Sequence, residues 1–157
     1  MPTTLIDTKE ILSRRILVID DEEANVLLLT TLLEREGYRD VHSTTNPNLA
    51  LETFVGLQPD LVLLDLMMPG VDGFQLLEAF TRHDRPDSFR PVLVLTADTT
   101  LQARRRALAL GAKDFVAKPF DVIEVALRIS NLLETRILYE RLRKSPFRDA
   151  SSRYVSC

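Results

Sequence analysis

Residues 61–70 read LVLLDLMMPG. Four apolar residues lead directly to Asp65, so the stretch predicts a buried β-strand that ends in a carboxylate. More apolar residues follow this acid, and a carboxylate is costly to bury without a partner. The position of Asp65 therefore indicates that other groups in the fold compensate its charge.

The chain around this strand repeats a short apolar run followed by a longer segment of helical period. The predicted strands lie within residues 15–20, 38–45, 61–65, 91–97 and 113–120. The predicted helices cover residues 22–37, 46–59, 73–84, 100–111 and 121–144. Asn46 and Asp121 are placed to cap two of these helices, and the polar second strand suits a sheet edge. Five strand–helix units predict an α/β fold, a doubly wound parallel sheet with helices on both faces.

Composition limits the classes of function. The 157 residues suit one domain with a full hydrophobic core, and the net charge of −3 gives no general reason to expect nucleic acid as a partner. The single cysteine, Cys157, excludes a disulfide framework, so we expect a cytoplasmic location. We expect no membrane association, because no apolar stretch could span a bilayer and residues 1–15 lack a signal-peptide pattern.

Polar side chains stand where four of the predicted strands end. Asp20 and Asp21 close the first strand, Asp65 the third and Thr96 the fourth, and Lys118 follows the fifth. The carboxyl ends of parallel strands meet at one edge of the sheet, where ligands bind. We therefore expect these five side chains to converge on that edge.

Three carboxylates in one cleft repel each other unless a cation lies between them. Mg²⁺ takes oxygen ligands and often shares them with phosphate, whereas zinc sites need histidine or cysteine, which these strand ends lack. A carboxylate can also act as a nucleophile and form an aspartyl phosphate. The residues thus predict a magnesium site at which Asp65 accepts a phosphoryl group, with Lys118 and Thr96 beside it.

Four segments carry a resemblance to a known family: ILVIDDEE (16–23), LVLLDLMMPGVDG (61–73), VLVLTA (92–97) and DFVAKPF (114–120). Through them the chain resembles the response-regulator receiver domain of two-component signal transduction. The resemblance implies a flavodoxin-like (βα)5 fold with strand order 2-1-3-4-5 and an extended C-terminal helix. It also implies a receiver domain over residues 14–134, an N-terminal extension over 1–13, and a C-terminal helical extension with a flexible tail over 135–157.

The resemblance assigns a role to each residue around the acceptor. Asp65 is the implied phosphoacceptor and a Mg²⁺ ligand, Asp21 is a direct ligand, and Asp20 acts through water. Met67 is implied to offer its backbone carbonyl to the metal. The side chains of Met67 and Asp98 flank the acceptor in this family and are expected to set the lifetime of the phosphorylated state.

The resemblance also implies how the signal leaves the site. Thr96 and Lys118 hold the phosphoryl oxygens, and the Lys118–Pro119 peptide is expected to be cis. Phe115 takes the position of the switch aromatic that moves together with Thr96. Many members have tyrosine at this position, whereas phenylalanine brings no hydroxyl group.

The implied phosphodonor is a phosphohistidine on a sensor histidine kinase or on a histidine phosphotransfer protein. The helical pattern continues past residue 134: Ile129, Leu133 and Ile137 recur every four residues, and Leu138, Tyr139 and Leu142 add apolar surface beyond the expected end of the domain. This pattern predicts a contact with an output domain or a second copy, that is, a homodimer through the C-terminal helix. The chain is expected to be a stand-alone regulator or a part of a longer protein.

Two alternative functions need residues that this chain lacks. A dehalogenase-like phosphatase needs a second acid two residues after its nucleophile, where this chain has Met67. A nucleotide- or flavin-binding module needs a glycine-rich phosphate loop, but DDEEAN (20–25) is acidic and has no glycine. A receiver-like interaction module that is not phosphorylated stays open. We expect no enzyme activity beyond the domain's own phosphorylation and dephosphorylation, and we expect Arg104–Arg106 to lie on a solvated helix face.

Overall fold

The structure, a computed structural model, describes residues 6–144. Five parallel strands form its main sheet: β1 (Arg15–Ile19), β2 (Asp40–Thr44), β3 (Leu61–Asp65), β6 (Val92–Thr96) and β7 (Asp114–Ala117). Two short strands, β4 (Met67–Met68) and β5 (Val71–Asp72), pair as a separate antiparallel hairpin. The sheet order is β2-β1-β3-β6-β7. Because β6 and β7 are its fourth and fifth strands, the predicted order 2-1-3-4-5 is confirmed, with β2 at an edge.

Helices connect the strands much as the periodicity predicts. They are α1 (Thr8–Leu12), α2 (Glu23–Glu36), α3 (Ala50–Leu57), α4 (Gly73–His83), α5 (Leu101–Ala109) and α6 (Val122–Arg143), with a 3₁₀ turn (Pro47–Leu49) before α3. Asn46 and Asp121 act as N-caps, because their side chains accept the main-chain N–H groups of Asn48 and Ile123. Within residues 6–144, no helix is long and apolar enough to cross a membrane.

The strands are buried because helices cover both faces of the sheet. Alternate residues of β3 point to opposite faces: Val62 and Leu64 pack in the cluster that contains Phe54 of α3 and Phe80 of α4. Leu61 and Leu63 pack in a second cluster, which is built with α2 and α6 and contains Leu29, Leu33, Val125 and Ile129. This two-sided burial confirms the doubly wound architecture and explains the continuous apolar runs.

Two segments outside the core repeat also belong to the folded unit. Helix α1, which the sequence did not predict, lies within residues 1–13 and packs beside α6. Ile137, beyond residue 134, is only 1% exposed. The face of α6 formed by Ile129, Leu133 and Ile137 therefore packs on its own domain, so a dimer through α6 has to use the outer side of the helix. The tail predicted to be flexible, from residue 145, lies outside the described residues.

Candidate functional site

The predicted acids lie together at the carboxyl edge of the sheet. Asp20 follows β1, Asp65 ends the neighbouring strand β3, and each is nearly inaccessible, with 1% and 3% of its surface exposed. One carboxylate oxygen from each of Asp20, Asp21 and Asp65 lies within 4.8 Å of the other two. The fold thus brings together three carboxylates from two strands that are far apart in the sequence.

Lys118 enters the same cluster from the end of β7. Its Nζ lies 3.0 Å from Asp20 Oδ2 and 3.3 Å from Asp65 Oδ2. Its main-chain N–H donates to the carbonyl of Thr96 at 2.8 Å, and the Lys118–Pro119 peptide is cis, as predicted. Burial alone would lower the pKa of Lys118, but the two carboxylates outweigh burial and raise this pKa. The ammonium therefore stays charged and offsets part of the negative charge.

The single ammonium group of Lys118 does not offset the negative charge of all three carboxylates. Burial raises the pKa of Asp65 to about 6, although the Met67 N–H, which donates to Asp65 Oδ1 at 3.0 Å, and Lys118 both act to lower this pKa. Asp20 adds to the increase through charge repulsion. The donor set consists of carboxylate oxygens with uncompensated negative charge, which fits a hard divalent cation such as Mg²⁺.

The predicted switch residues lie on β6, which pairs with the strand that carries Asp65, and on β7, which pairs with β6. Thr96 ends β6, is fully buried, and accepts the main-chain N–H of Asp98 on its Oγ1 at 3.2 Å. Asp98 is half-buried, and its carboxylate accepts the Thr100 N–H at 3.0 Å, which lowers the pKa of Asp98. Phe115 stands opposite Val94 in the strand register and is half-buried against the Phe54 cluster. Phe115 is thus part of the core and lies on the strand next to β6, which ends in Thr96.

The hairpin after Asp65 is fixed by close packing. Met67 pairs with Asp72 across the hairpin, and its side chain is 60% exposed. A Cβ at Gly73 would lie only 2.5 Å from the carbonyl oxygen of Leu66, a contact that would force the backbone to move. Glycine at this position allows α4 to start directly against the segment that carries Met67.

Two arginines of α5 contact aromatic rings on neighbouring elements, which the sequence did not indicate. The guanidinium of Arg106 lies 4.1 Å from the ring centroid of Phe74 and 3.8 Å from Asp72 Oδ2. The guanidinium of Arg104 lies 6.0 Å from the ring centroid of Phe115. Both residues are exposed, as expected for a solvated helix face. Their aromatic partners lie on other elements, so no local pattern could have revealed these contacts.

Comparison with known proteins gives one family. The model described as response regulator receiver domain matches residues 16–130. The chain is 42% identical over 119 residues to the DNA-binding dual master transcriptional regulator RpaA of Synechocystis sp. (strain ATCC 27184 / PCC 6803 / Kazusa), which covers 76% of this chain and 48% of that protein. It is 37% identical over 142 residues to response regulator PleD of Caulobacter vibrioides, which covers 90% of this chain and 30% of that protein.

A solved structure agrees with these relatives. The signal receiver domain of the DNA binding response regulator protein (merR) from Colwellia psychrerythraea 34H is 31% identical, with a TM-score of 0.71 over 78% of this chain and 99% of that chain. The chain therefore spans about half or less of the two curated relatives but nearly all of a solved receiver domain. From its matched motifs, its sheet order and these similarities, the chain belongs to the response regulator receiver domain family of two-component systems.

Proposed function

We propose that this receiver domain accepts a phosphoryl group on Asp65 from a phosphohistidine of a sensor histidine kinase or a histidine phosphotransfer protein. The observation that carries the proposal is the buried Asp65 carboxylate beside Asp20 and Asp21, with Lys118 Nζ at 3.3 Å. In the transfer, a carboxylate oxygen of Asp65 bonds to phosphorus while the phosphorus–nitrogen bond breaks. The electron pair of that bond stays on the histidine nitrogen.

The acidic cluster would hold Mg²⁺ through Asp21, Asp65 and the backbone carbonyl of Met67, with Asp20 acting through water. When bound, the ion supplies charge neutralisation between the carboxylates and the incoming phosphoryl group. The position of Met67 supports this assignment, because its N–H already donates to Asp65 Oδ1. That hydrogen bond holds the hairpin backbone next to the acceptor.

Lys118 and Thr96 would then contact the phosphoryl oxygens. Lys118 exchanges part of its contact with Asp20 and Asp65 for the new negative charge, and the Thr96 hydroxyl donates to a second oxygen. Phe115 occupies space that Thr96 vacates, which changes the surface offered to a partner, an output domain or a second copy. Phosphorylation thus shifts an existing equilibrium between two states of the domain.

The proposal includes no turnover of an external substrate. Water ends the phosphorylated state by hydrolysis of the acyl phosphate, and Met67 and Asp98 set how readily water attacks. We place the reaction in the cytoplasm, as predicted from the sequence. Phosphorylation is also proposed to control homodimer contacts made by the outer side of α6.

The test uses acetyl phosphate as the donor and intact mass as the readout. With Mg²⁺, the wild-type chain is expected to gain the mass of one phosphoryl group, and Asp65→Asn is expected to gain none. Asp84→Asn is the matched control, because Asp84 is also a partly buried carboxyl with a raised pKa but lies before β6, at the other edge of the sheet. Chelation of Mg²⁺ with EDTA should abolish labelling of the wild type.

The alternatives give different results in the same experiment. A wild-type chain that gains no mass would favour the interaction module that is never phosphorylated. Steady release of phosphate from a small phosphoester, with no covalent adduct, would favour a phosphatase. Labelling that persists in Asp65→Asn would place the acceptor on another residue.

A further inference from the structure

The start of α4 is held against α5 by one arginine. The Arg106 guanidinium lies 4.1 Å from the ring centroid of Phe74 and 3.8 Å from Asp72 Oδ2. Asp72 is the N-cap of α4, and its other carboxylate oxygen accepts the Phe74 N–H at 2.9 Å. A planar, delocalised guanidinium can stack on a ring and pair with a carboxylate at the same time. One side chain of α5 thus contacts both residues that flank Gly73.

The hairpin connects Asp72 to the acidic cluster. Asp72 stands opposite Met67 in the antiparallel pairing of the hairpin. The Met67 N–H donates to Asp65 Oδ1 at 3.0 Å, and the Met67 carbonyl is the backbone oxygen that we propose as a ligand of Mg²⁺. A path of adjacent residues therefore runs from Arg106 through Asp72 and Met67 to Asp65.

The first turn of α5 is connected to Thr96. The Thr96 hydroxyl oxygen accepts the Asp98 N–H at 3.2 Å, and the Asp98 carboxylate accepts the Thr100 N–H at 3.0 Å. Thr100 is in turn the N-cap of α5, because its hydroxyl oxygen accepts the Ala103 N–H at 3.2 Å. Helix α5 is therefore connected at its start to Thr96, and through Arg106 to the hairpin.

We propose that Arg106 is a positioning residue for the magnesium site: it holds the Met67 hairpin against α5 and thereby raises the affinity of the site for Mg²⁺. This role rests on the proposed function, in which the Met67 carbonyl is a metal ligand. Arg106 acts through Asp72 and Phe74, whose positions determine where the hairpin backbone lies. Because α5 begins in the loop that follows Thr96, the same contact links the metal side of the site to the side that would hold the phosphoryl oxygens.

The direction of the effect separates positioning from simple electrostatics. A positive charge near an acidic cluster repels Mg²⁺, so the loss of that charge alone should strengthen metal binding. The loss of a positioning contact should weaken metal binding, because the hairpin backbone is then less fixed. We expect Arg106→Gln to bind Mg²⁺ about threefold more weakly than the wild type, within the range that an exposed cation–π contact supports.

The test is calorimetric titration of the full, unphosphorylated chain with Mg²⁺. Arg105→Gln is the matched control, because Arg105 is the preceding residue of α5, is exposed, and has no ion pair or aromatic contact within residues 6–144. This control loses the same charge and should bind Mg²⁺ as tightly as the wild type or slightly more tightly. Arg106→Lys keeps the charge without the planar group, so its affinity should lie between those of the wild type and Arg106→Gln.

Two further measurements address the contact itself. In a Phe74→Leu background, Arg106→Gln should change the Mg²⁺ affinity less than it does in the wild type, because the stacking partner is already absent. Exchange of the Met67 N–H with water is measured by nuclear magnetic resonance without Mg²⁺. This exchange should be faster in Arg106→Gln than in Arg105→Gln, because a less fixed hairpin leaves its hydrogen bond to Asp65 more often.

The role of Arg106 is overturned if Arg106→Gln binds Mg²⁺ as tightly as Arg105→Gln, or if the Met67 N–H exchanges equally fast in the two variants. Failure of the proposed magnesium site gives a different result, in which the wild-type chain itself binds no Mg²⁺. That result would overturn both the metal site and the role of Arg106.

Discussion

At the residue scale, burial of the Asp65 carboxyl group affects the stability of the folded protein. Burial raises the pKa of this carboxyl to about 6 in the folded protein, from an ordinary value of 3.8. The folded state therefore holds the Asp65 proton more tightly than the unfolded state does. The stabilisation from this proton is complete below pH 3.8 and is lost as the pH rises through about 6. The ionised Asp65 carboxylate thus lowers the free energy of unfolding at neutral pH.

Asp65→Asn should remove this dependence on pH. In EDTA, we expect the variant to gain stability over the wild type by roughly 2 kcal/mol between pH 4 and pH 8, because asparagine has no proton to lose. Urea unfolding of both proteins at several pH values measures the difference. Titration of the carboxyl groups that lie away from Asp65 is common to both proteins and cancels. A difference that stays constant with pH would contradict the raised pKa.

Asp98 is expected to affect how long a phosphoryl group stays on Asp65. Its carboxylate accepts the Thr100 N–H in the loop that follows Thr96, and we expect this carboxylate to orient a water molecule. We expect Asp98→Ala to lengthen the lifetime of phosphorylated Asp65 several-fold, measured by intact mass after removal of the donor. Asp7→Ala is the control. Asp7 also accepts a main-chain N–H, but it caps α1 and is not part of the acidic cluster. Equal decay of both variants and the wild type would exclude this role.

At the scale of elements, the start of α4 determines where the hairpin after Asp65 lies. Gly73→Ala places a Cβ against the Leu66 backbone, which cannot rotate away. We expect a loss of roughly 2–4 kcal/mol in the free energy of unfolding and weaker Mg²⁺ binding, because the Met67 segment must shift. Urea unfolding and calorimetric Mg²⁺ titration measure the two effects.

Gly56→Ala is the matched control for this substitution. Gly56 lies inside α3, and nothing lies within 4 Å of a Cβ added there. We expect alanine to stabilise α3 by about 0.5–1 kcal/mol, because glycine loses more backbone entropy in a helix. If both alanine variants behaved alike, the close contact at Gly73 would not control the hairpin.

Helix α6 provides a test of where the folded unit ends. Ile137 is 1% exposed, whereas Leu142, five residues later, is 61% exposed. Ile137→Ala should lower the free energy of unfolding by roughly 2–4 kcal/mol, and Leu142→Ala should change it by less than about 0.5 kcal/mol. Urea unfolding of the two variants measures this. Equal small effects would mean that α6 beyond residue 134 packs loosely on the domain.

At the scale of the whole molecule, the sequence predicts what depends on local patterns. Apolar runs predict the five strands of the sheet, and the acids at their ends predict the cluster of Asp20, Asp21 and Asp65. Helix α1 was missed because five residues are too few to show a period. Arg14 and Glu140 look like solvated charges in the sequence. Only the fold brings the Arg14 guanidinium within 3.0 Å of the Glu140 carboxylate. Contacts between distant residues of ordinary composition leave no local signal.

The amino edge of the sheet, where the parallel strands begin, is held by contacts between residues that are distant in sequence. Arg136 makes two of these contacts. Its Nε lies 2.7 Å from Asp60 Oδ1, and its terminal nitrogen donates to the Phe89 carbonyl at 2.7 Å. Only 15% of the Arg136 side chain is exposed. The guanidinium therefore links α6 to the segments that precede β3 and β6.

Arg136→Gln should cost roughly 2–4 kcal/mol of unfolding free energy, because it leaves Asp60 partly buried without its closest cation. Arg82→Gln, at an exposed pair, should change it by less than about 1 kcal/mol. Urea unfolding of Arg136→Gln, Asp60→Asn and the double variant isolates the coupling between the two side chains. We expect the double variant to lose less than the sum of the single losses. Strict additivity would mean that this ion pair does not hold α6 to the sheet.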